Sequence, residues 1–186
     1  MPTGIQVTRL YTIAYPLVSN ADAEVLESFR RLHDPQASLI RAHFTLVFAC
    51  AGVDTNDYLR HVLAVAGQSA PLEFVCRYAT LGADHRREQF HQFLVPDEGY
   101  SGLSMLHDRL YTGSLATCLE PAVPFIPHIT LGSAPDAQAV RQRCAEFNAL
   151  RLKVRGRVDA LTVVSVSDSL HEVATFSLGA NQALGA

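Results

Sequence analysis

Alternating and helix-spaced apolar positions divide the chain into short elements. Arg9 to Leu17 (RLYTIAYPL) alternates as a strand does, and Pro16 ends it. Asn20 is placed to cap a helix with Val25, Phe29 and Leu32 at i, i+4, i+7 spacing. The turn-forming His33-Asp34-Pro35 follows, and His43 to Ala49 (HFTLVFA) is strand-like again. Asp54 and Thr55 open a second helix with Leu59, Val62, Leu63 and Ala66 on one side, before a strand over Leu72 to Leu81.

The second half repeats this order. Gln89 to Val95 reads as a strand stopped by Pro96 and Gly99, and Ser101 as the cap of a helix with Leu103, Leu106 and Leu110 on its face. Gly113 is a plausible stop for that helix. His128 to Leu131 is a short strand. Ser133, Pro135 and Asp136 start a helix with Val140, Cys144 and Phe147 as its stripe, and strands follow over Leu150 to Val158, Leu161 to Val166 and His171 to Leu178. The third element of each half opens with one signature, His43-Phe44-Thr45-Leu46 and His128-Ile129-Thr130-Leu131. The repeat suggests a duplicated unit with pseudo-twofold symmetry; unrelated elements in coincidental order remain the alternative. The expectation is one domain over residues 1–186 built of two lobes, approximately 1–84 and 85–186.

Composition narrows the function classes. The 186 residues carry 18 acidic and 15 basic side chains, for a net charge of −3, and 48% are hydrophobic. That composition is globular and leaves no general basic field for coating nucleic acid. No apolar run approaches the roughly 20 residues of a membrane helix. The start lacks the basic cluster and apolar core of a signal peptide. Cys50, Cys76, Cys118 and Cys144 are widely spread, form no CxxC pair and sit among apolar neighbours, so buried free thiols in a reducing cytoplasm are expected.

The repeated signature carries the chemistry. Residues i and i+2 share a strand face, so His43 projects with Thr45, and His128 with Thr130. Phe44, Leu46, Ile129 and Leu131 point the other way, into packing. Two such motifs with apolar alternate positions are rare by chance, each arising about 0.1 times in a chain of this composition. If the halves pair about a twofold, two imidazoles and two hydroxyls line one cleft. A neutral imidazole there takes a proton from an attacking hydroxyl or water, and a protonated one gives a proton to the leaving oxygen. Hydroxyl donors hold the non-bridging phosphate oxygens.

With RLYTIAYPL, AHFTLVF and FIPHITLG (Phe125 and Pro127 included) in place, the chain resembles the two-histidine (2H) phosphoesterases, in particular bacterial 2′-5′ RNA ligase-like proteins. The resemblance covers nearly the whole chain. It implies an α+β fold of two pseudo-twofold-related lobes, with antiparallel sheets around a central cleft and helices on the outer faces. It also implies metal-independent opening or formation of nucleotide phosphodiesters, with 2′,3′-cyclic phosphates and 2′-5′ linkages as substrates. His43 and His128 would be acid and base, and Thr45 and Thr130 would bind phosphate, with no metal and no cofactor. One departure is Ala42, where relatives often carry Pro before the first histidine.

Other residues divide between two readings. Arg41 either joins the cleft face or is a solvated strand end. Arg86 and Arg87 sit in the charged turn ADHRRE and read chiefly as turn residues. Lys153, Arg155 and Arg157 form either a basic rail or, more simply, the wet side of an antiparallel sheet. Tyr11 and Phe125 are candidates for base stacking but read chiefly as core, and His91 is a weak candidate for the cleft. His33, His61, His85, His107 and His171 show no metal spacing. GxGxxG, GxxxxGK[ST] and GxSxG are absent, so nucleotide-cofactor folds and serine hydrolases lose their usual support. The sequence thus predicts a cytoplasmic, monomeric phosphodiesterase acting on nucleotides or RNA termini, without membrane association or extended nucleic-acid contact. A catalytically silent nucleotide-binding module and a His-rich metalloprotein are the rivals.

Overall fold

A computed structural model describes residues 9–84, 89–167 and 169–180. Arg86 and Arg87, with His85, lie outside the described residues. The described strands are β1 (Arg9–Ala14), β2 (Leu17–Val18), β3 (Phe44–Cys50), β4 (Leu72–Asp84), β5 (Gln89–Glu98), β6 (Ile129–Ala134), β7 (Val154–Val158), β8 (Ala160–Val166) and β9 (Leu170–Ser177). The helices are α1 (Asn20–His33), α2 (Thr55–Gly67), α3 (Tyr100–Leu110) and α4 (Ala137–Ala149), with a 3-10 turn over Gly113–Cys118.

The strands join into one sheet, in the order β2-β7-β4-β5-β6-β3-β1-β8-β9, and every pairing is antiparallel. The two motif strands, β6 and β3, meet at its centre through the single registered pair Phe44↔Ile129. These are equivalent residues of the two signatures, so the expected pseudo-twofold runs between them. The arms on either side are not the two halves of the sequence. A boundary near residue 84 falls within the β4–β5 hairpin, whose ladder runs from Val75↔Glu98 to Asp84↔Gln89. Pro16 explains the interleaving: the chain leaves β1 in one arm there and enters β2 at the far edge of the other. Strands β8 and β9 return to the first arm.

The helices cover one face of the sheet. Phe44, Leu46, Ile129 and Leu131 are fully buried there with Leu26 of α1, Tyr58 and Val62 of α2, Leu103, Leu106 and Leu110 of α3, and Val140 and Phe147 of α4. The predicted stripes of α3 and α4 are the ones found. In α1 the cap is Ser19, whose side chain accepts from the Asp22 N–H, and not Asn20. Leu26 and Arg30 face inward while Leu32 is exposed. In α2 Tyr58 and Val65 are buried and Leu63 is exposed. Gly99, at φ 85°, precedes α3 in place of a Ser101 cap. Gly113 starts the 3-10 turn at φ 51° and does not close α3.

The expectation of four free thiols is corrected. Cys50 at the end of β3 is disulfide-bonded to Cys118 in the 3-10 turn, with Cα atoms 5.4 Å apart. Their separation of 68 residues hides a proximity that only the packing of the turn on β3 creates. Cys76 and Cys144 are free and buried. The disulfide removes the support that four thiols lent to a reducing compartment. Among the described residues no helix is long and apolar enough to cross a membrane.

Candidate active site

Because Phe44 and Leu46 face the helices, Thr45 faces the opposite side of the sheet, as does Thr130 between Ile129 and Leu131. All four motif side chains, His43, Thr45, His128 and Thr130, are half-buried there, while their alternates are fully buried. The register of Phe44↔Ile129 sets His43 opposite Thr130 and Thr45 opposite His128. The structure therefore brings the four predicted residues together on two neighbouring strands.

Both histidines stand one residue ahead of their strands, not within them as the sequence spacing suggests. That position frees each ring to turn back on the chain. His43 Nδ1 donates to the Arg41 carbonyl at 2.8 Å, and His128 Nδ1 donates to the Ile126 carbonyl at 2.6 Å. In each case the acceptor lies two residues earlier, and a carbonyl can only accept. Nδ1 thus carries the hydrogen in both neutral rings, and both Nε2 atoms present a lone pair.

The surroundings of the two rings differ. His128 stacks on Phe93, with centroids 3.5 Å apart and planes at 22°, and Phe93 in turn stacks with His91 at 5.8 Å. Gly82 makes room for this column: a Cβ there would meet Phe93 Cε2 at 2.1 Å. On the other side, Tyr15 meets His43 edge-on at 6.4 Å. The Arg41 guanidinium lies 3.7 Å from the Tyr15 ring centroid, and the Tyr15 hydroxyl donates to Glu172 Oε1 at 2.8 Å. Arg41 is exposed and rests its guanidinium on the Tyr15 ring, the ring that meets His43 edge-on.

Burial dominates the electrostatics. It pulls the His128 pKa down to about 4, against the opposing bond to the Ile126 carbonyl, and positive charge on His91 or His43 depresses it further. Burial also lowers that of His43, opposed by the Arg41 carbonyl; Arg30 pushes the same way as burial, while Asp34 and Glu27 resist it. Burial, and then Glu172, raise the Tyr15 phenol to about 12, so it stays a neutral donor.

The secondary candidates sort by face. Tyr11 sits on the cleft side in a small cluster with Ile13, Tyr15, Ile40, Val164 and Leu170. Phe125 packs on the helix side, stacked on His107 at 3.7 Å. His91, a weak sequence candidate, is part of the His128 column. Arg155 is exposed, and Arg157 pairs with Asp159 at 3.2 Å, as on the wet side of a sheet. Among the described residues no group of three or more His, Cys, Asp or Glu side chains is placed to hold a metal. Sequence reasoning placed Phe93 on the strand of His91 without giving it a role, and passed over Gly82. A glycine inside a strand pattern, opposite an aromatic strand, is the signal that marks such a close approach.

A curled antiparallel sheet with helices on one face, and paired His-x-Thr strands at its centre, defines a two-histidine phosphoesterase fold. The family model of the 2′-5′ RNA ligase superfamily matches residues 17–169, and the chain belongs to that superfamily. Among solved structures, Escherichia coli LigT complexed with 3′-AMP aligns with a TM-score of 0.60 at 18% identity, covering 92% of this chain and 98% of that one. A Thermus thermophilus protein aligns at 0.57 and 17%, covering 92% and 98%. Kluyveromyces marxianus Usb1 aligns at 0.53 and 11%, covering 95% and 100%. At these identities the likeness is one of fold. No curated protein matches the sequence.

Proposed function

We propose that this protein is a metal-independent phosphodiesterase acting on 2′,3′-cyclic phosphate or 2′-5′ phosphodiester bonds of nucleotides or RNA ends. The observation that carries the reading is the matched pair of imidazoles. Each is fixed by the same Nδ1–H bond to the carbonyl two residues earlier, one residue ahead of strands joined at Phe44↔Ile129. Pure binding needs no two proton-transfer groups held alike, and this disfavours a silent nucleotide-binding module. LigT structures solved with 3′-AMP, ATP and NADP+ support a nucleotide as the ligand.

In hydrolysis of a cyclic phosphate, a water oxygen attacks phosphorus. One neutral imidazole takes the water proton at Nε2 as the P–O bond forms. The other, protonated at Nε2, donates to the leaving ribose oxygen as the ring P–O bond breaks. The product is a phosphomonoester, and the two imidazoles have exchanged protonation states. Thr45 and Thr130 donate to the non-bridging oxygens as charge shifts onto them. Their cross-strand placement opposite His128 and His43 gives each imidazole a hydroxyl neighbour across the strand pair.

The test is His43→Ala and His128→Ala, assayed on 2′,3′-cyclic mononucleotides and 2′-5′-linked dinucleotides. Each loses about 10²- to 10⁴-fold in turnover, the usual worth of a positioned acid or base. The double variant is little worse than the poorer single, because the pair acts as a unit. Dialysis against a chelator leaves the wild-type rate unchanged. A folded single variant with near-wild-type rates, or activity lost to the chelator and restored by a divalent ion, would overturn the reading.

A further inference from the structure

The residues before the two histidines differ. Pro127 precedes His128 and is buried, with φ fixed by its ring. Ala42 precedes His43 and has neither that constraint nor the missing N–H. Its N–H donates to Glu27 Oε1 at 2.6 Å, across 15 residues of sequence. Glu27 is itself held: Arg30 Nη1 donates to Glu27 Oε2 at 3.0 Å. Arg30 is buried to 1% exposure, and its other donors reach Asp34 Oδ2 at 2.8 Å and the Ile40 carbonyl at 2.8 Å. The side chains of α1 therefore grip the chain at Ile40 and at Ala42. Between these two points lies Arg41, whose carbonyl accepts the His43 Nδ1–H.

We infer that Glu27, anchored by Arg30, is a positioning residue for His43. It fixes the Ala42 backbone and so does for the first motif what Pro127 does for the second. The inference rests on the reading of His43 as an acid–base group and extends it to a residue that touches no substrate. A buried ion pair is weak evidence for stability, and losing one partner leaves the other charge uncompensated, which is why the variants of Glu27 are compared only where they fold. Two signatures with one histidine geometry and different preceding residues need two devices, a ring in one and a carboxylate in the other.

The mechanism makes a specific claim. Glu27 acts through one acceptor oxygen on one N–H, so a proline at 42 makes it dispensable. Four variants test this: Glu27→Gln keeps the acceptor, Glu27→Ala and the near-isosteric Glu27→Met remove it, and Glu27→Ala/Ala42→Pro replaces it. Two readouts are taken: kcat and KM on a 2′,3′-cyclic mononucleotide, and the His43 ring tautomer from its ¹⁵N shifts above its titration range.

Glu27→Ala and Glu27→Met lose about 10- to 100-fold in kcat with KM little changed, the cost of a misplaced proton-transfer group. Their His43 ring moves from the Nδ1–H form to a mixture. Glu27→Gln keeps the acceptor for Ala42 but sets its amide N–H₂ against Arg30, so it loses less of both properties than Glu27→Ala does, and Ala42→Pro restores both in the Glu27→Ala background. Folded Glu27→Ala or Glu27→Met with wild-type kcat and an intact Nδ1–H tautomer overturns the inference. So does a folded double variant that recovers neither property. If His43→Ala is fully active, the acid–base reading falls, and the tautomer in the Glu27 variants still decides whether Glu27 positions the ring.

Discussion

Gly82→Ala isolates the column behind His128. The added Cβ would sit 2.1 Å from Phe93 Cε2, 2.4 Å from Cδ2 and 2.6 Å from Cζ. Carbon atoms rest at about 3.5–4.0 Å, so the ring must retreat by about 1 Å or more. It has little room to do so, because the same ring is stacked on His128 with centroids 3.5 Å apart. The Gly82 backbone lies outside the left-handed region, so alanine is conformationally acceptable. Through the unfolded chain it would by itself stabilise by about 0.4–1 kcal/mol. Overpacking costs about 1–3 kcal/mol and reverses the sign. The net expectation is a destabilisation of about 1–2 kcal/mol, which lowers Tm by about 2–4 °C per kcal/mol in a chain of this length. A shift of His128 by about 1 Å lowers kcat by about 100-fold. Urea unfolding and turnover of a 2′,3′-cyclic mononucleotide are measured for Gly82→Ala, Phe93→Leu and the double variant. With the ring gone, Gly82→Ala becomes neutral or stabilising. Wild-type stability and kcat in Gly82→Ala, or the same loss with and without Phe93, would refute the reasoning.

Three further predictions follow from the site. The general base works only above its pKa and the general acid only below its own; burial holds both histidines under 6.5, that of His128 at about 4. The bell of kcat/KM therefore peaks below pH 6.5, and that of kcat lies at higher pH because a bound phosphodiester anion favours the imidazolium; a kcat/KM optimum above pH 7 contradicts this. Thr45→Val and Thr130→Val each remove a donor to a charged oxygen, worth about 1.5–3 kcal/mol, so kcat/KM falls about 10- to 100-fold with Tm nearly unchanged; unaltered kinetics would remove the hydroxyls from the site. A pocket that grips one phosphate gives a log–log salt slope near −1 or shallower, against about −0.7 per phosphate for extended single-stranded contact. A steep slope on long RNA, lost in Arg155→Ala, would instead make the basic face of β7 a binding rail.

The sequence carried the motif strands because their information is local. Alternation alone places Phe44, Leu46, Ile129 and Leu131 on one side and the histidines and threonines on the other, and the burial of these residues follows that division. The stripe of α4 was legible for the same reason. The face of α1 was not, because Arg30 turns inward to meet Glu27, Asp34 and the Ile40 carbonyl, and no hydropathy pattern predicts a buried arginine. Arms that interleave were illegible too, since a strand's pairing partner is set by where Pro16 and the later loops send the chain.

The residues by themselves determined the chemistry available, two His-x-Thr signatures in matching contexts, and the kind of element that presents each. Period-2 and period-3.6 patterns need no information from the rest of the chain. Only the tertiary structure decided what each imidazole meets. His128 is stacked and dried by Phe93 over Gly82, while His43 is held through Ala42 by Glu27 and Arg30 and flanked by Tyr15 and Arg41. Those contacts join residues far apart in sequence. The desolvation that lowers both pKa values is a property of the assembled cleft, where neighbouring atoms replace water around each ring.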